Sequence, residues 1–255
     1  MSNFKDWWHD FWDLLFPRCC AGCGQHLGRN EQQLCVSCLT ALPYAKKPQS
    51  GYKPQLRCYE NESEALPPTK TDWDFRANEM ASLFWGKIPI ERAFSYVQYS
   101  PEGLAHRVLM ELKYDHRPDL GVYFGRTMAR DLLPKGFFQD IDCVVPLPLH
   151  WKRHMARGYN QSAQLAKGIA EMTGLPIAKG YVRRVRNNET QTHKTAVERL
   201  KNVEGVFRLR RPIPYHHILL VDDVLTTGAT LTSCAQAIHE QQPDVVFSVL
   251  TLARA

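Results

Sequence analysis

The sequence contains no apolar segment long enough to cross a bilayer as a helix, which takes about 20 predominantly apolar residues. It also lacks the pattern of a secretory signal peptide, because acidic residues interrupt the apolar positions near the N-terminus and no small-residue cleavage site follows. We find no internal repeat and no low-complexity tract. These absences favour a globular protein of the cytoplasm, where a disulfide framework is rare.

The composition is that of an ordinary globular chain. Of 255 residues, 44% are hydrophobic and 23% are charged, which is enough for a sizeable core in one or two domains. The formal net charge is +6. A mildly basic balance permits anionic partners such as phosphates, nucleic acid or a membrane surface, but it does not require any of them.

Residues 1–18 are predicted to form an amphipathic helix. Large apolar residues recur at helical spacing with acidic residues between them, and Pro17 ends the pattern. Such a helix could bind a membrane surface or a partner, or it could pack on the rest of the chain. Interfacial helices usually carry a basic polar face, so the acidic face here favours packing.

Residues 19–45 contain two CxxC pairs, Cys20–Cys23 and Cys35–Cys38, separated by eleven residues. Two such knuckles can present four thiolates tetrahedrally to one zinc ion, and a filled coordination shell predicts a structural role. Cys19 competes with Cys20, but Cys20 reproduces the two-residue spacing of the second pair. A knuckle that keeps its fold without metal is the alternative.

The remaining chain divides into two parts. Residues 46–92 begin with a stretch rich in proline, lysine and asparagine and are predicted to be a linker or a hood over a site. From residue 93 to residue 255, short apolar strands alternate with amphipathic helices. This alternation predicts an α/β domain with a mostly parallel sheet flanked by helices.

The segment ILLVDDVLTTGATL, residues 218–231, joins an apolar strand to a helix through two acids and a hydroxyl-rich turn. In an open α/β sheet, ligands bind beyond the carboxyl ends of the strands, and a helix N-terminus favours a phosphate. Gly228 allows close backbone approach, and the two acids can accept hydrogen bonds from vicinal hydroxyls or hold Mg²⁺. The pattern therefore predicts a site for a phosphorylated sugar such as ribose 5-phosphate. The plainer alternative is a strand–turn–helix with threonine caps.

This segment resembles the PRPP (phosphoribosyl pyrophosphate) motif of type I phosphoribosyltransferases. Further stretches resemble the ComF family of GntX-type competence proteins: RGYNQ at residues 157–161, TQTHKTAVERLKNVEGVF at residues 190–207, LKYDHRPDLG at residues 112–121, and the paired cysteines. The resemblance covers nearly the whole chain apart from residues 44–78. It implies a type I phosphoribosyltransferase-like fold with a small N-terminal zinc module.

The resemblance also implies roles for individual residues. Asp222 and Asp223 would bind the ribose hydroxyls of PRPP, directly or through Mg²⁺, and would be catalytic together with Arg157. The 5′-phosphate would be bound by the turn residues Thr226, Thr227, Gly228, Ala229 and Thr230. The pyrophosphate loop would comprise Lys152, Arg153, Arg157 and Gly158, whose cations could neutralise a leaving pyrophosphate. A flexible loop covering the reacting centre would contain Gln191, Arg199 and Asn202.

A salvage enzyme also needs a hood that stacks a nucleobase, and a fold does not by itself establish turnover. The chain ends at Ala255 directly after the last predicted strand, so we expect any hood to come from the zinc module and residues 44–92, with Trp73 and Trp85 as stacking candidates.

Residues 179–211 contain ten basic and three acidic residues, a net +7 that suits a polyanion. A basic lid that faces pyrophosphate and solvent is the plainer alternative. Trp151 and Tyr181 lie nearby as candidates for stacking on bases.

Three hypotheses follow. The first is a ComF-type protein that binds PRPP and handles imported single-stranded DNA, with DNA-uptake proteins as possible partners. The second is a nucleobase or nucleotide-salvage phosphoribosyltransferase of nucleoside metabolism. The third is a structural zinc and nucleic-acid adaptor with a vestigial pocket, which the intact acids and the TTGAT turn argue against.

Overall fold

The computed structural model describes residues 17–47, 73–186 and 205–255. The amphipathic helix predicted for the N-terminus, most of the predicted linker, and the loop residues Gln191, Arg199 and Asn202 lie outside the described residues. No helix in the described ranges is long and apolar enough to span a membrane.

A four-stranded parallel sheet forms the centre of the fold, in the order β1-β6-β5-β2. The strands are β1 (Ile90–Gln98), β2 (Cys143–Pro146), β5 (His217–Leu225) and β6 (Val246–Arg254). The middle strands β5 and β6 are buried along most of their length, as expected for strands covered on both faces. The predicted α/β class with a mostly parallel sheet is confirmed.

Helices and a hairpin cover the two faces of the sheet. One face carries α3 (Leu104–Tyr114), α4 (Pro118–Leu132) and α6 (Gln161–Thr173), which follow β1 and β2 in the chain. The other face carries α7 (Ala229–His239), the single-turn helix α2 (Glu79–Ser82) and the antiparallel hairpin of β3 (Val182–Arg184) and β4 (Phe207–Leu209). The short helix α5 (Trp151–Arg157) lies between β2 and α6.

Residues 73–92 belong to the packed domain. Asn78 caps α2 and also donates to the Ala93 carbonyl, and Phe84 is fully buried. Strand β1 begins at Ile90, three positions before the boundary expected from the sequence. Trp73 packs with Phe94 at the edge of the core, and Trp85 packs partly buried against the opposite core.

The N-terminal module, residues 17–47, contains the helix α1 (Val36–Ala41) and lies against α3 and the start of α4. A side chain at Gly22 would lie 2.5 Å from Leu104 at the start of α3. The end of the module also pairs with the sheet, because Tyr44 forms a bridge with Val97 of β1.

Helices α4 and α6 approach each other closely through two glycines. A methyl group at Gly125 would lie 2.1 Å from the Leu165 carbonyl oxygen, and one at Gly168 would lie 2.1 Å from the Val122 carbonyl oxygen. Backbone atoms are the obstacle in both cases, so the two helices would have to separate to admit a side chain. This contact fixes the position of α6, which supplies a residue to the site described below.

We predict that Gly168→Ala destabilises the protein by about 2–3 kcal/mol, although alanine normally favours a helix interior by about 1 kcal/mol. The measurement is chemical denaturation. Lys167→Ala, on the exposed side of the same helix, is the matched control and should change the unfolding free energy little. Equal stability of the two variants would contradict a tight helix contact.

Candidate functional site

The acid pair lies within β5, near its carboxyl end, as the sequence predicts. Asp222 pairs with Thr251 of β6, and the strand continues to Leu225. Because neighbouring strand residues point to opposite faces, Asp222 continues the row of Ile218 and Leu220, and Asp223 continues that of Val221. Two adjacent carboxylates therefore flank the carboxyl end of one central strand.

Asp222 is held by two donors. Its Oδ1 accepts a hydrogen bond from Ser162 Oγ at 2.9 Å and another from the Asp223 backbone N–H at 2.9 Å. Burial, followed by the charge of Asp223, raises the pKa of Asp222 to about 7. The charged form of Asp222 is thus costly in the ligand-free fold, and a cation or hydroxyl donors beside it would relieve that cost.

Asp223 forms an ion pair with Lys113 at the end of α3, at 3.3 Å between Nζ and Oδ2. The two side chains are only 18% and 15% exposed, so this pair is screened less than a surface pair. Sequence reasoning did not single out Lys113 or Ser162. Lys113 lies in a stretch that carries the family resemblance and Ser162 directly follows another, but neither residue type on its own signals a link to a distant acid.

The turn after β5 has the geometry of a phosphate site. Gly228 has φ +75°, and a Cβ there would lie 3.2 Å from a ring carbon of Phe84, so both backbone and space require glycine. Helix α7 begins at the next residue, Ala229, and its first N–H groups have no partner within the helix. Thr226 is exposed, while Thr227 and Thr230 are half-buried. The structure brings this turn directly after the acid pair.

The segment predicted as a pyrophosphate loop is a short helix in the structure. Lys152 and Arg153 lie in α5, which His150 caps at its start and Gly158 ends with φ +77°. Arg157 lies over the ring of Tyr114, with its guanidinium carbon 5.3 Å from the ring centre. The cations therefore come from a helix beside the carboxyl end of β2, not from an extended loop.

The rest of RGYNQ is largely architectural. The Tyr159 hydroxyl donates to the Leu112 carbonyl at the end of α3, and Asn160 caps α6 by accepting from the Ser162 backbone N–H at 3.1 Å. Gln161 is buried, and its amide nitrogen has no hydrogen-bond partner among the described residues. The motif thus positions Ser162 next to Asp222.

Arg184 of β3 also belongs to this site. Its side chain is half-buried, and burial, with the nearby Arg153 next in size, lowers the pKa of its guanidinium, while the charge of Asp222 acts in the opposite direction. From the sequence Arg184 was one of ten basic residues in a polyanion segment. The strand alternation that exposes Arg183 leaves Arg184 half-buried, where its charge interacts with that of Asp222.

The structure brings the four predicted zinc ligands together. Sulfur atoms of Cys20, Cys23, Cys35 and Cys38 all lie within 4.8 Å of one another, and those of Cys23 and Cys35 are 3.8 Å apart. Four sulfurs at about 2.3 Å from a tetrahedral zinc would be about 3.8 Å apart, so the cluster fits that ion. Cys19 is outside the cluster, with its thiol directed at the Pro17 carbonyl, so the cluster contains Cys20 and not Cys19.

The surroundings of the thiols favour bound metal. Burial raises the pKa of Cys20, but backbone N–H groups led by those of Cys35 and Gly22 outweigh it and bring that pKa to about 7. Burial and the neighbouring thiols raise the pKa of Cys38 well above its usual range. All four sulfurs can lose their protons together only beside a cation, so the cluster could hold a structural zinc.

We predict one zinc ion per chain, lost in Cys20→Ser and retained in Cys19→Ser. The adjacent cysteines make a matched pair, because only Cys20 lies in the cluster. Elemental analysis of protein purified without chelator measures the stoichiometry. Chelation should also expose the N-terminal module to proteolysis, since structural zinc contributes folding free energy. Absence of stoichiometric zinc, or equal loss from both variants, would contradict the assignment.

Comparison with known proteins agrees with this geometry. The family model described as phosphoribosyl transferase domain matches residues 157–255, which contain the acid pair and the phosphate turn. The DNA utilization protein YhgH of Salmonella typhimurium is 32% identical over 151 residues, which cover 58% of this chain and 66% of the relative.

Two competence proteins are similar over shorter spans. Competence protein F of Haemophilus influenzae is 32% identical over 45% of this chain and 51% of its own length. Competence protein ComFC of Bacillus subtilis is 34% identical over 44% of each chain. The matches thus span no more than 66% of these relatives. With the phosphoribosyl transferase domain, these relatives and the N-terminal cysteine cluster, the chain is a member of the ComF family.

Proposed function

We propose that this protein binds PRPP with Mg²⁺ at the carboxyl end of β5 and takes part in the handling of single-stranded DNA during its uptake. The observation that carries the PRPP assignment is the adjacency of Asp222 and Asp223 to the Gly228 turn at the start of α7. The acid pair suits vicinal hydroxyls, and the turn at the start of α7 suits a terminal phosphate. PRPP carries both groups on one ribose ring.

Each group around the pocket has a proposed part. The N-terminus of α7 and the threonine hydroxyls bind the 5′-phosphate, and the acid pair accepts hydrogen bonds from the ribose hydroxyls. Mg²⁺ would be held by oxygen ligands from the same acids and from the phosphates, and it would add positive charge beside the pyrophosphate. Lys152, Arg153, Arg157 and Arg184 stabilise the charge that develops when the bond between C1 and pyrophosphate breaks.

The molecule that accepts the phosphoribosyl group distinguishes two functions, transfer to a nucleic acid component and salvage of a free base. A salvage enzyme needs an aromatic surface free to stack on a base. In the described part of the chain, Trp73 lies against Phe94 with Lys135 over its ring, and Trp85 packs on the core. These contacts make salvage the weaker alternative, since both tryptophans are partly buried against the core.

A basic groove beside the pocket supports the DNA assignment. It has a volume of about 640 Å³ and is lined by Trp151, Arg183, Arg184, Val185, Arg186, Gly205 and Arg208. Arg183 and Arg208 are directly opposite each other in the β3–β4 hairpin, and both are exposed. Like charges in this position are destabilising unless an anion compensates them.

Trp151 gives the groove an aromatic surface. Trp151 is 64% exposed, which is unusual for a tryptophan of a folded protein but suits stacking on an unpaired base. A groove with both cations and an exposed ring fits a single strand better than a duplex, whose bases are already stacked. The names of the relatives, which refer to DNA utilization and competence, favour the same class of partner. We place this activity in the cytoplasm, with DNA-uptake proteins as neighbours.

We predict that PRPP with Mg²⁺ raises the melting temperature. At about 100 times the dissociation constant the rise should be roughly 5–10 °C for a chain of this size. The double variant Asp222→Ala/Asp223→Ala should lose the shift and still fold. Asp244→Ala, at an exposed acid outside the site, is the control and should keep it. A full shift in the double variant would contradict the role of the acid pair.

We predict that reversing Arg183, Arg186 and Arg208 to Glu weakens binding of a labelled single-stranded oligonucleotide and lowers the salt dependence by roughly 0.7 per lost phosphate contact. Arg184 is left unchanged because its charge interacts with that of Asp222. Trp151→Ala should weaken binding without changing the salt slope. Fluorescence anisotropy at several salt concentrations measures both quantities.

The control for this experiment reverses Lys46, Lys87 and Lys167, three exposed lysines elsewhere on the molecule, and gives the same net charge. This variant should bind the oligonucleotide nearly as well as the wild type. The groove variant should keep its melting shift with PRPP, which shows that it is folded. If both triple variants lose affinity equally, binding depends on net charge and the groove is not the site.

A further inference from the structure

The turn between α3 and α4 contacts both the zinc module and the PRPP pocket. The chain reverses there through His116, which has φ +50°, a conformation that few non-glycine residues adopt. The residues on either side of this turn, Glu111–Asp119, carry three separate sets of contacts. We call this segment the junction.

The first set of contacts reaches the zinc module through Arg117. Its guanidinium donates to the Cys19 carbonyl at 3.1 Å and to Gln33 Oε1 at 2.6 Å, and it pairs with Glu111 at 3.3 Å. Gln33 in turn donates to Asp119 at 2.6 Å. Cys19 directly precedes Cys20 of the cluster, and Gln33 lies two residues before Cys35. A metal ion held by these cysteines would therefore fix the atoms that bind Arg117.

The second set reaches the acid pair. Lys113 lies four residues before Arg117 and forms the 3.3 Å ion pair with Asp223. An arginine that fixes the end of α3 therefore also fixes the ammonium group beside one of the two carboxylates.

The third set reaches the pyrophosphate side. Tyr114 lies under the Arg157 guanidinium, and the Leu112 carbonyl accepts from the Tyr159 hydroxyl. A Cβ at Gly158 would come within 3.7 Å of His116. The junction is thus packed against both the acids and the cations of the pocket.

We propose that Arg117 is a positioning residue that couples zinc binding to PRPP binding. This inference rests on the proposed PRPP site and deepens it. With zinc bound, the module holds Arg117, and Arg117 holds the junction in the arrangement that places Lys113 and Arg157 for the ligand. Coupling free energies are reciprocal, so PRPP must then strengthen zinc binding by the same factor by which zinc strengthens PRPP binding.

The experiment measures the zinc affinity of the full-length protein by competition with a colorimetric chelator, with and without saturating PRPP and excess Mg²⁺. In the wild type we expect PRPP to raise the zinc affinity by about 5-fold or more, the lower range of typical coupling. The double variant Asp222→Ala/Asp223→Ala is the control for direct binding of free zinc by PRPP in solution. Such binding does not require the pocket, so it would change the apparent zinc affinity of this variant as well.

Three variants test the pathway. Arg117→Ala should bind zinc and PRPP separately but lose the coupling, and Arg117→Lys should restore only part of it, since one ammonium cannot reproduce the forked contacts. Gln33→Ala removes the hydrogen bond between Arg117 and Gln33 but leaves the arginine in place. It tests the same pathway if Arg117→Ala fails to fold. Arg126 lies on the same helix as Asp119 and forms an exposed 2.6 Å ion pair with Glu171 of α6. Arg126→Ala breaks this pair and should keep full coupling.

The outcomes separate the two proposals. PRPP binding without any change in zinc affinity would overturn the coupling alone. Unchanged coupling in both Arg117→Ala and Gln33→Ala would overturn the role of Arg117. Failure of the wild type to bind PRPP would overturn the proposed function and this inference with it.

Discussion

Two carboxylates on consecutive residues of a buried central strand are the constraint on which the pocket depends. Each would cost free energy if it were charged and unpaired there, and their mutual repulsion adds to that cost. The fold compensates from two directions, with Ser162 bonded to Asp222 and Lys113 paired with Asp223. Helices α3 and α6 must both be placed accurately for this, which gives the glycine contact between α4 and α6 a role beyond stability.

The same constraint explains why the N-terminal module is attached where it is. Lys113 lies near the end of a helix, where the last backbone groups lack partners and the chain would otherwise fray. Tyr159 satisfies one carbonyl there, and Arg117 ties the following turn to the module. A small knuckle with too little apolar surface to fold by itself can still act as a rigid support once a metal is bound, because the metal supplies the free energy that its core cannot.

The sequence predicted the sheet, the acid pair, the phosphate turn and the cysteine cluster because each rests on local spacing. Strand β5 and helix α7 follow from apolar periodicity, and the choice of Cys20 over Cys19 follows from the two-residue interval. Lys113, Ser162 and Arg184 could not be assigned in this way, since their partners are 110, 60 and 38 positions away in the sequence. The helical form of residues 151–157 was missed because the segment was identified by its resemblance to a pyrophosphate loop, whereas His150 and Gly158 provide both helix caps.

The β3–β4 hairpin shows how one basic segment can serve two ligands. Successive strand residues point to opposite faces, so Arg184 is half-buried and interacts with Asp222, while Arg183 is exposed, and both line the groove. Positive charge on the inner face is balanced in part by Asp222, and the phosphates of bound PRPP would balance it further. On the outer face, Arg208 lies directly opposite Arg183 and repels it. A polyanion along the groove would remove that repulsion, and it would do so within a few residues of the sugar site. The alternation of a two-stranded hairpin would thus place a nucleic acid strand and PRPP side by side, with Arg184 bordering both sites.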